Sequence, residues 1–185
     1  MTTPLGDIEI LAVVQGAPLT EGWLQTAPIR PALPPGMSVD ACHAVVLSVR
    51  SDEAALNVEF IARRTGAVAA TSDVEAGEGL EARTWWADTH VLTIGTEDED
   101  ALRLRLDGRV PMPRDPVEHL DDGIVVRLAG LPAGETLALH FIVAWNALPE
   151  SHESACWYAV DQVPAEVAAV VARSSRLQQA TFSAA

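Results

Sequence analysis

Short apolar stretches, several with alternating apolar and polar residues, follow one another along most of the chain and are separated by polar turns. This spacing is typical of strands in an antiparallel sheet, where successive side chains point to opposite faces. We predict about nine strands in the chain. They cover residues 7–14, 41–50, 54–64, 82–86, 90–95, 101–107, 123–129, 137–145 and 155–161.

The stretch 136–161 predicts the middle of the sheet core, since it holds the longest apolar run and then a second, shorter one. Alternation divides the first run into two faces. The large apolar face, predicted to be core, consists of Leu137, Leu139, Phe141, Val143 and Trp145. The smaller, mixed face consists of Ala138, His140, Ile142, Ala144 and Asn146. We expect a helix, a ligand or another protein to cover this second face.

Two further strand predictions also state which side chains face the core. Residues 41–50 and 54–64 predict a hairpin through the turn Ser51-Asp52-Glu53, with Leu56, Val58, Phe60 and Ala62 facing the core. Residues 101–107 alternate strictly. This predicts a strand with Leu102, Leu104 and Leu106 buried and with Arg103 and Arg105 exposed.

Three segments predict loops. Residues 16–36 hold five prolines, which lack a backbone donor, and predict an extended arm pinned by Trp23, Leu24, Ile29 and Leu33. Residues 65–81 are rich in glycine, alanine, serine and acids and predict a mobile loop. Residues 110–122 hold three prolines and several charges.

The C-terminal segment changes period. Residues 164–180 place Val167, Val170, Val171, Ser174 and Leu177 on one helical stripe, and Pro164 suits the first position of a helix. We expect this helix to dock on its own sheet. The chain therefore predicts a single all-β domain over residues 1–185, an antiparallel β-sandwich of Ig-like or jelly-roll-like type with one C-terminal α-helix.

The run LPAGETLALHFIVAWN, a polar loop, WYAVD and the alanine-rich helix together form a recognisable order of elements. This order resembles the C-terminal part of small, uncharacterised actinobacterial proteins. The resemblance covers about the last quarter of the chain and implies a β-sandwich fold without implying any chemistry.

Charge narrows the range of partners. The chain carries 26 acids against 12 bases, for a formal net charge of −14, and every base is arginine. This balance argues against nucleic acid and against anionic membrane surfaces. The absence of lysine excludes a lysine Schiff base. With no signal peptide in the sequence, we predict a cytoplasmic protein in which Cys42 and Cys156 are reduced.

No spacing in the sequence indicates a reaction. The five histidines show no metal-binding pattern such as HxH or HExxH, and no GxSxG or GxGxxG occurs. We therefore predict no catalytic residues, no metal site and no cofactor. The acidic turn 97–100 lacks the glycine of a calcium loop, and we interpret it as solvated.

Four residues are candidate contacts for a ligand or a partner. Trp85 and Trp86 are adjacent, so in a strand one faces the core and the other a surface or pocket. His140 lies in the middle of a strand on its less apolar face, and His90 begins a neighbouring strand. These residues favour a non-catalytic module that binds a protein or self-associates. The alternative is a small-molecule-binding protein or enzyme, with His140, His90 and one tryptophan lining an internal pocket.

Overall fold

The computed structural model describes residues 1–15, 21–66, 68–77, 79–106, 108–148 and 155–182. These residues contain the strands β1 (Thr2–Thr3), β2 (Gly6–Gln15), β3 (Glu21–Pro28), β4 (Ala41–Arg50), β5 (Ala55–Thr65), β6 (Thr71–Gly77), β7 (Leu80–Trp86), β8 (His90–Glu97), β9 (Val117–Leu120), β10 (Gly123–Leu131) and β11 (Thr136–Ala147). They also contain the helices α1 (Glu99–Leu106), α2 (Ala155–Asp161) and α3 (Pro164–Phe182).

The strands form two antiparallel sheets. The five-stranded sheet has the order β1-β2-β5-β10-β9, and the six-stranded sheet has the order β3-β4-β11-β8-β7-β6. Strand β11 is central, because it pairs with β4 on one side and with β8 on the other. The prediction of an antiparallel, sandwich-like β fold is thereby confirmed. The prediction of a single helix is wrong, since the described residues contain three.

The main core lies between the two sheets. Val58, Phe60 and Val126 of the five-stranded sheet pack in one cluster with Phe141 and Leu139 of β11. The predicted large face of β11 belongs to this cluster, and its other face packs in a second cluster with α2 and α3. Of the three coverings expected for that second face, the structure has the helix.

Helix α2 fits closely on the six-stranded sheet because two glycines leave room for it. A Cβ on Gly95 would lie 2.5 Å from Cγ1 of Val160, and a Cβ on Gly77 would lie 2.6 Å from the Trp157 ring. Real Cβ atoms do not approach so closely, so larger residues at these two positions would displace the helix. This is a close approach that glycine alone permits.

The predicted strand 101–107 is wrong, since the segment forms α1. Asp98 caps this helix, with Oδ1 accepting a hydrogen bond from the N–H of Ala101 at 2.8 Å. Leu102 and Leu106, four residues apart, are buried, whereas Leu104 is 84% exposed. Residues two apart share a strand face and residues four apart share a helix face, so this pattern fits both structures, and the cap decides between them.

The predicted strand 155–161 is also wrong, since these residues form α2. Its buried positions are Ala155, Cys156, Ala159 and Val160, which have helical spacing. A short apolar run does not distinguish a strand from a buried helix. In this protein the room left by Gly77 and Gly95 on the sheet surface favours the helix.

The predicted hairpin 41–50/54–64 is wrong because its two strands lie in different sheets. Strand β4 pairs with β3 and β11, and β5 pairs with β2 and β10. Val45 and Leu47 of β4 meet Val58 and Phe60 of β5 across the core instead. Strand β4 has long ladders with the preceding β3 and with the distant β11, and β5 with the distant β2 and β10, so proximity of β4 and β5 along the chain does not predict their pairing.

Three predicted loops contain strands. The arm 16–36 includes β3, with Pro28 at its end; residues 16–20 lie outside the described part of the chain. Of the predicted pins, Ile29 is buried and Leu33 packs on the second cluster, but Leu24 is exposed. The loop 65–81 includes β6 and the start of β7, and the loop 110–122 includes β9.

The C-terminal helix is confirmed as α3 and docks on the six-stranded sheet. Val167 is fully buried and Val171 is 9% exposed, and both pack with Ala44 and Val46 of β4. Its contacts with the sheet are to β11 and β4. The predicted neighbouring strand 155–161 does not exist, so the helix covers a sheet face and not the edge next to that strand.

Candidate functional site

Among the described residues, one side of the sandwich ends in two edge strands, and we call it the open side. It is formed by the adjacent edges of the two sheets, β3 in the six-stranded sheet and β2 in the five-stranded sheet. Strand β1 pairs with β2 at Gly6 and Asp7 only, so most of the outer edge of β2 has no neighbouring strand among the described residues. Two long edge strands therefore run along the same side.

An apolar cleft of about 300 Å³ lies between these two edges. It is lined by Met1, Ile8, Ile10, Leu24, Thr26, His43 and Val45. Leu24 is 51% exposed and Met1 37%, so the rim of the cleft presents large apolar side chains to solvent. Exposed apolar surface beside unpaired strand edges is a feature of binding sites for extended chains.

His43 connects this cleft to a second hollow. Its ring is stacked on Trp145, with centroids 5.3 Å apart and planes at 16°, and its Nδ1 is buried without a hydrogen-bond partner in the described structure. Burial lowers the pKa of His43, which favours the neutral imidazole. His43 also lines an open hollow of about 630 Å³, formed by the segment that follows β3.

The sequence analysis did not single out His43. The signal was present in the alternation of residues 41–50, which places His43 on the same face as Val45 and Leu47. A histidine at the end of an apolar strand face lies at the rim of a core. In the sequence, His43 otherwise stands only as one of five histidines without metal spacing.

The four described edges differ in charge. Strand β6 carries Asp73 and Glu75, and β9 is four residues long and carries Glu118. In contrast, residues 22–28 of β3 and residues 10–15 of β2 contain no charged side chain. Charged side chains and short length are common ways to protect an edge from further pairing. Over these two stretches the open side has neither.

His140 lies elsewhere, on the face of the six-stranded sheet that the helices cover. Beside it, Arg105 of α1 holds Glu97 with two nitrogens, at Nε–Oε1 2.8 Å and Nη2–Oε2 2.7 Å. Arg105 Nη1 also donates to the carbonyl of Ala138 at 3.1 Å. The Thr96 hydroxyl donates to the His140 carbonyl at 2.9 Å. The arginine therefore ties α1 to β8 and β11.

The His140 side chain is 3% exposed, and its Nδ1 lies 3.8 Å from Glu97 Oε2 without forming a hydrogen bond. Burial lowers the pKa of His140 to about 4; Glu97 opposes this shift and Arg105 reinforces it. His140 is therefore neutral at pH 7. Its predicted place on the smaller face of β11 is confirmed.

Ser48 of β4 lies opposite Ala138, two residues from His140 on β11, and Glu97 lies near His140; serine, histidine and a carboxylate are the residue types of hydrolytic triads. The geometry does not suit that chemistry. The Ser48 hydroxyl is fully buried and makes no hydrogen bond within the described structure, and Arg105 occupies Glu97. An active triad needs a hydrogen-bonded, accessible nucleophile.

The two tryptophans face opposite ways, as predicted. Trp85 is 1% exposed in the core between the sheets, its Nε1 donates to the Asp121 carbonyl at 3.2 Å, and Arg64 lies over its ring. Trp86 is half-buried on the other face and lines an open hollow of about 720 Å³ with residues 68–71 and 87–89.

His90 lies at the end of the β7–β8 hairpin, where its Nδ1 is 2.9 Å from the Thr89 hydroxyl. Its pairing partner on β11 is Ala147, seven residues beyond His140. At about 3.4 Å per residue, the two histidines are about 24 Å apart along that strand. The structure therefore does not bring Trp85, Trp86, His90 and His140 together into one site.

The acidic turn 97–100 makes protein contacts. Glu97 pairs with Arg105, Asp98 accepts from the N–H groups of Gly79 and Ala101, and Glu99 pairs with Arg103. Within the described ranges, no group of three or more histidine, cysteine, aspartate or glutamate side chains is placed to hold a metal ion.

Cys42 and Cys156 are both buried, and neither is part of a disulfide within the described residues. Burial, with a smaller contribution from Glu166, raises the pKa of the Cys42 thiol to about 12, which makes it a poor nucleophile.

None of the helices described is both long and apolar enough to cross a membrane.

A scan against protein-family models gives no match, and searches of the curated proteins and of the solved structures give none either. The resemblance to actinobacterial proteins therefore stays a prediction.

Proposed function

We propose that this chain is a non-catalytic protein-binding module that takes up an extended segment of a partner at its open side. The observation that carries this proposal is the apolar cleft between two edge strands, β2 and β3, which contain no charged residue over residues 10–15 and 22–28. The scaffold, in our interpretation an Ig-like or jelly-roll-like sandwich, supplies the rigid edges.

Strand addition is the binding mode that this surface supports. An incoming strand would add to the six-stranded sheet beside β3, its outermost described strand. Alternate side chains of that strand would point into the cleft beside Leu24. Main-chain hydrogen bonds then contribute affinity, and the cleft contributes selectivity for apolar side chains.

The other candidate contacts support a binding role over a catalytic one. His140 is closed off and neutral, and its neighbour Glu97 is occupied by Arg105. Two buried cysteines without a disulfide in the described structure support a reducing compartment, and we propose the cytoplasm.

A photo-cross-linking experiment tests the proposal. A benzophenone amino acid replaces Leu24, and a matched variant replaces Val74, which is 43% exposed on edge strand β6. Both variants are irradiated in the native host, and cross-linked products are identified by mass spectrometry. We expect position 24 to give a discrete protein adduct that position 74 does not give. Equal patterns from the two positions would refute binding at the open side.

A second candidate function is the binding of a small apolar molecule in the same cleft, favoured by its volume and by the unpartnered Nδ1 of His43. Native mass spectrometry of protein purified from the host would show a retained small molecule. Thr26→Trp should fill the cleft and remove the added mass, whereas Thr71→Trp on β6 should leave it. Protein without any added mass excludes this candidate.

A further inference from the structure

Two polar side chains lie among the apolar walls of the cleft at the open side. They are His43 and Thr26, and Thr26 of β3 pairs with Val45, two residues from His43 on β4. The walls beside them are aliphatic, with Ile8 3% exposed and Val45 1% exposed. A group that fills the cleft must therefore be mostly apolar and must meet hydrogen-bonding groups at one place.

The cleft lies away from the link between β2 and β3. Its walls Ile10 and Thr26 are each five residues from the ends of that link, Gln15 and Glu21. At about 3.4 Å per residue, this separation is about 17 Å along each strand. The side chains that determine what fits in the cleft all belong to described residues.

The surroundings of His43 determine which of its ring nitrogens carries the proton. Burial lowers the pKa of His43, so the ring is neutral at pH 7. Its Nδ1 is buried without a hydrogen-bond partner among the described residues. A buried N–H without an acceptor is rarer in proteins than a buried acceptor without a donor, so the proton is assigned to Nε2. His43 then presents one N–H donor at the tip of its ring.

This donor specifies the chemistry of the group that it meets. His43 makes no hydrogen bond to a described residue, so Nε2 is available for an oxygen acceptor. A carboxylate is disfavoured, because the chain has a net charge of −14 and a neutral imidazole does not offset an added negative charge. A tryptophan indole only donates. Tyrosine combines a neutral hydroxyl with an apolar ring that matches the aliphatic walls.

We propose that the cleft receives a tyrosine side chain of the partner segment, with the phenol oxygen accepting a hydrogen bond from Nε2 of His43. This inference rests on the proposed function and names the side chain that is recognised. The cleft volume of about 300 Å³ is at the low end for ligand pockets, which suits one side chain better than a cofactor. Thr26 supplies a hydroxyl that can accept the phenol proton.

NMR titration of the full chain with p-cresol and toluene, the side-chain analogues of tyrosine and phenylalanine, tests the inference. Both compounds should shift the methyl signals of Ile8, Ile10 and Val45 at millimolar concentration, as expected for ligands of this size. One neutral hydrogen bond should make p-cresol bind about three- to tenfold more tightly than toluene. His43→Phe keeps a ring for stacking on Trp145 and should abolish this preference. His90→Phe, at the end of the β7–β8 hairpin, should keep it.

Equal binding of p-cresol and toluene by the wild type overturns the inference, and so does a preference that His43→Phe retains. Absence of shifts at the cleft with both compounds overturns it too. The proposed function fails differently, through equal cross-linking patterns at positions 24 and 74. A discrete adduct at position 24 together with equal binding of the two compounds keeps the binding site and excludes tyrosine recognition. A phenolic small molecule retained by protein from the host would exclude a partner's tyrosine as the occupant.

Discussion

The outward faces of the two sheets have different surroundings, since one is in contact with solvent and the other is covered by helices. On the five-stranded sheet the outward face meets solvent, and its charges pair across strands: Glu9 with Arg63, and Arg127 with both Glu59 and Glu118. These side chains are 28–47% exposed. Antiparallel sheets commonly have one solvated face of this kind.

The outward face of the six-stranded sheet is covered by α2 and α3. Its residues are small, such as Ala44, Ala144 and Gly95, and its polar groups, such as His140, are nearly inaccessible. A covered face therefore restricts the volume of the side chain at each position, and burying a charge there costs free energy. A solvated face tolerates change, because water compensates for each lost partner.

The largest expected loss of stability comes from a charge placed under the helices. Val167→Asp buries an unpaired carboxylate where the valine is fully buried, and should cost about 4 kcal/mol, or roughly 10 °C in Tm. Ala169→Asp makes the same change at an exposed position of α3 and should cost less than about 0.5 kcal/mol. Thermal unfolding of both variants provides the measurement. Similar losses would show that α3 does not dock through Val167.

A slightly smaller effect should appear on acidification. The pKa of His140 is about 4 in the folded chain against 6.5 when unfolded, so the unfolded state takes up the proton first. Stability that is present above pH 6.5 is therefore lost as the pH falls towards 4. Between pH 7 and 4.5 the wild type should lose about 2 kcal/mol more than His140→Gln, measured by urea unfolding. Equal losses would contradict the burial of a neutral His140.

Added volume on the covered face should have an intermediate effect. Gly95→Ala places a methyl group against Val160 and should cost about 1–3 kcal/mol. In the double variant, Val160→Ala should restore part of this loss, with a favourable coupling of about 1 kcal/mol. Ala129→Val, at an exposed position of β10, should change stability by less than about 0.5 kcal/mol. Simple additivity of the Gly95 and Val160 changes would argue against their contact.

The smallest effect should come from the solvated face. Breaking the Glu9–Arg63 pair with Glu9→Gln or Arg63→Gln should cost less than about 1 kcal/mol, because both side chains are more than 40% exposed. The difference should shrink further in 1 M salt. A double-mutant cycle by chemical unfolding measures the coupling. A coupling above 2 kcal/mol would mean that this face is covered in solution.

Several features could be predicted from residues alone. The two faces of β11 follow from the alternation of its side chains, and α3 follows from a valine stripe behind Pro164. In β11 the apolar residues repeat with the period of a strand and not of a helix, and in α3 they repeat with the period of a helix and not of a strand. Among the candidate site residues, the opposite orientations of Trp85 and Trp86 follow from their adjacency.

Other features could not be predicted, because two structures satisfy the same local pattern. Leu102 and Leu106 fit a strand face and a helix face equally well, and the run 155–160 is too short to distinguish the two. The hairpin error has a different origin. The turn between β4 and β5 is equally compatible with pairing in one sheet and with a crossing to the other.

By itself, the sequence determined the strand-rich class, the central strand β11, the helix α3 and an acidity that disfavours polyanionic partners. The side-chain period is a local property of each segment, and the net charge is a sum over all residues. Neither depends on which segments meet in the fold. Only the tertiary structure decided which strands are edges, that helices cover one sheet face, and that His43, Leu24 and Ile10 meet at the open side. Pairing partners lie far apart along the chain. Their choice depends on burying a shared core, and no single segment contains that information.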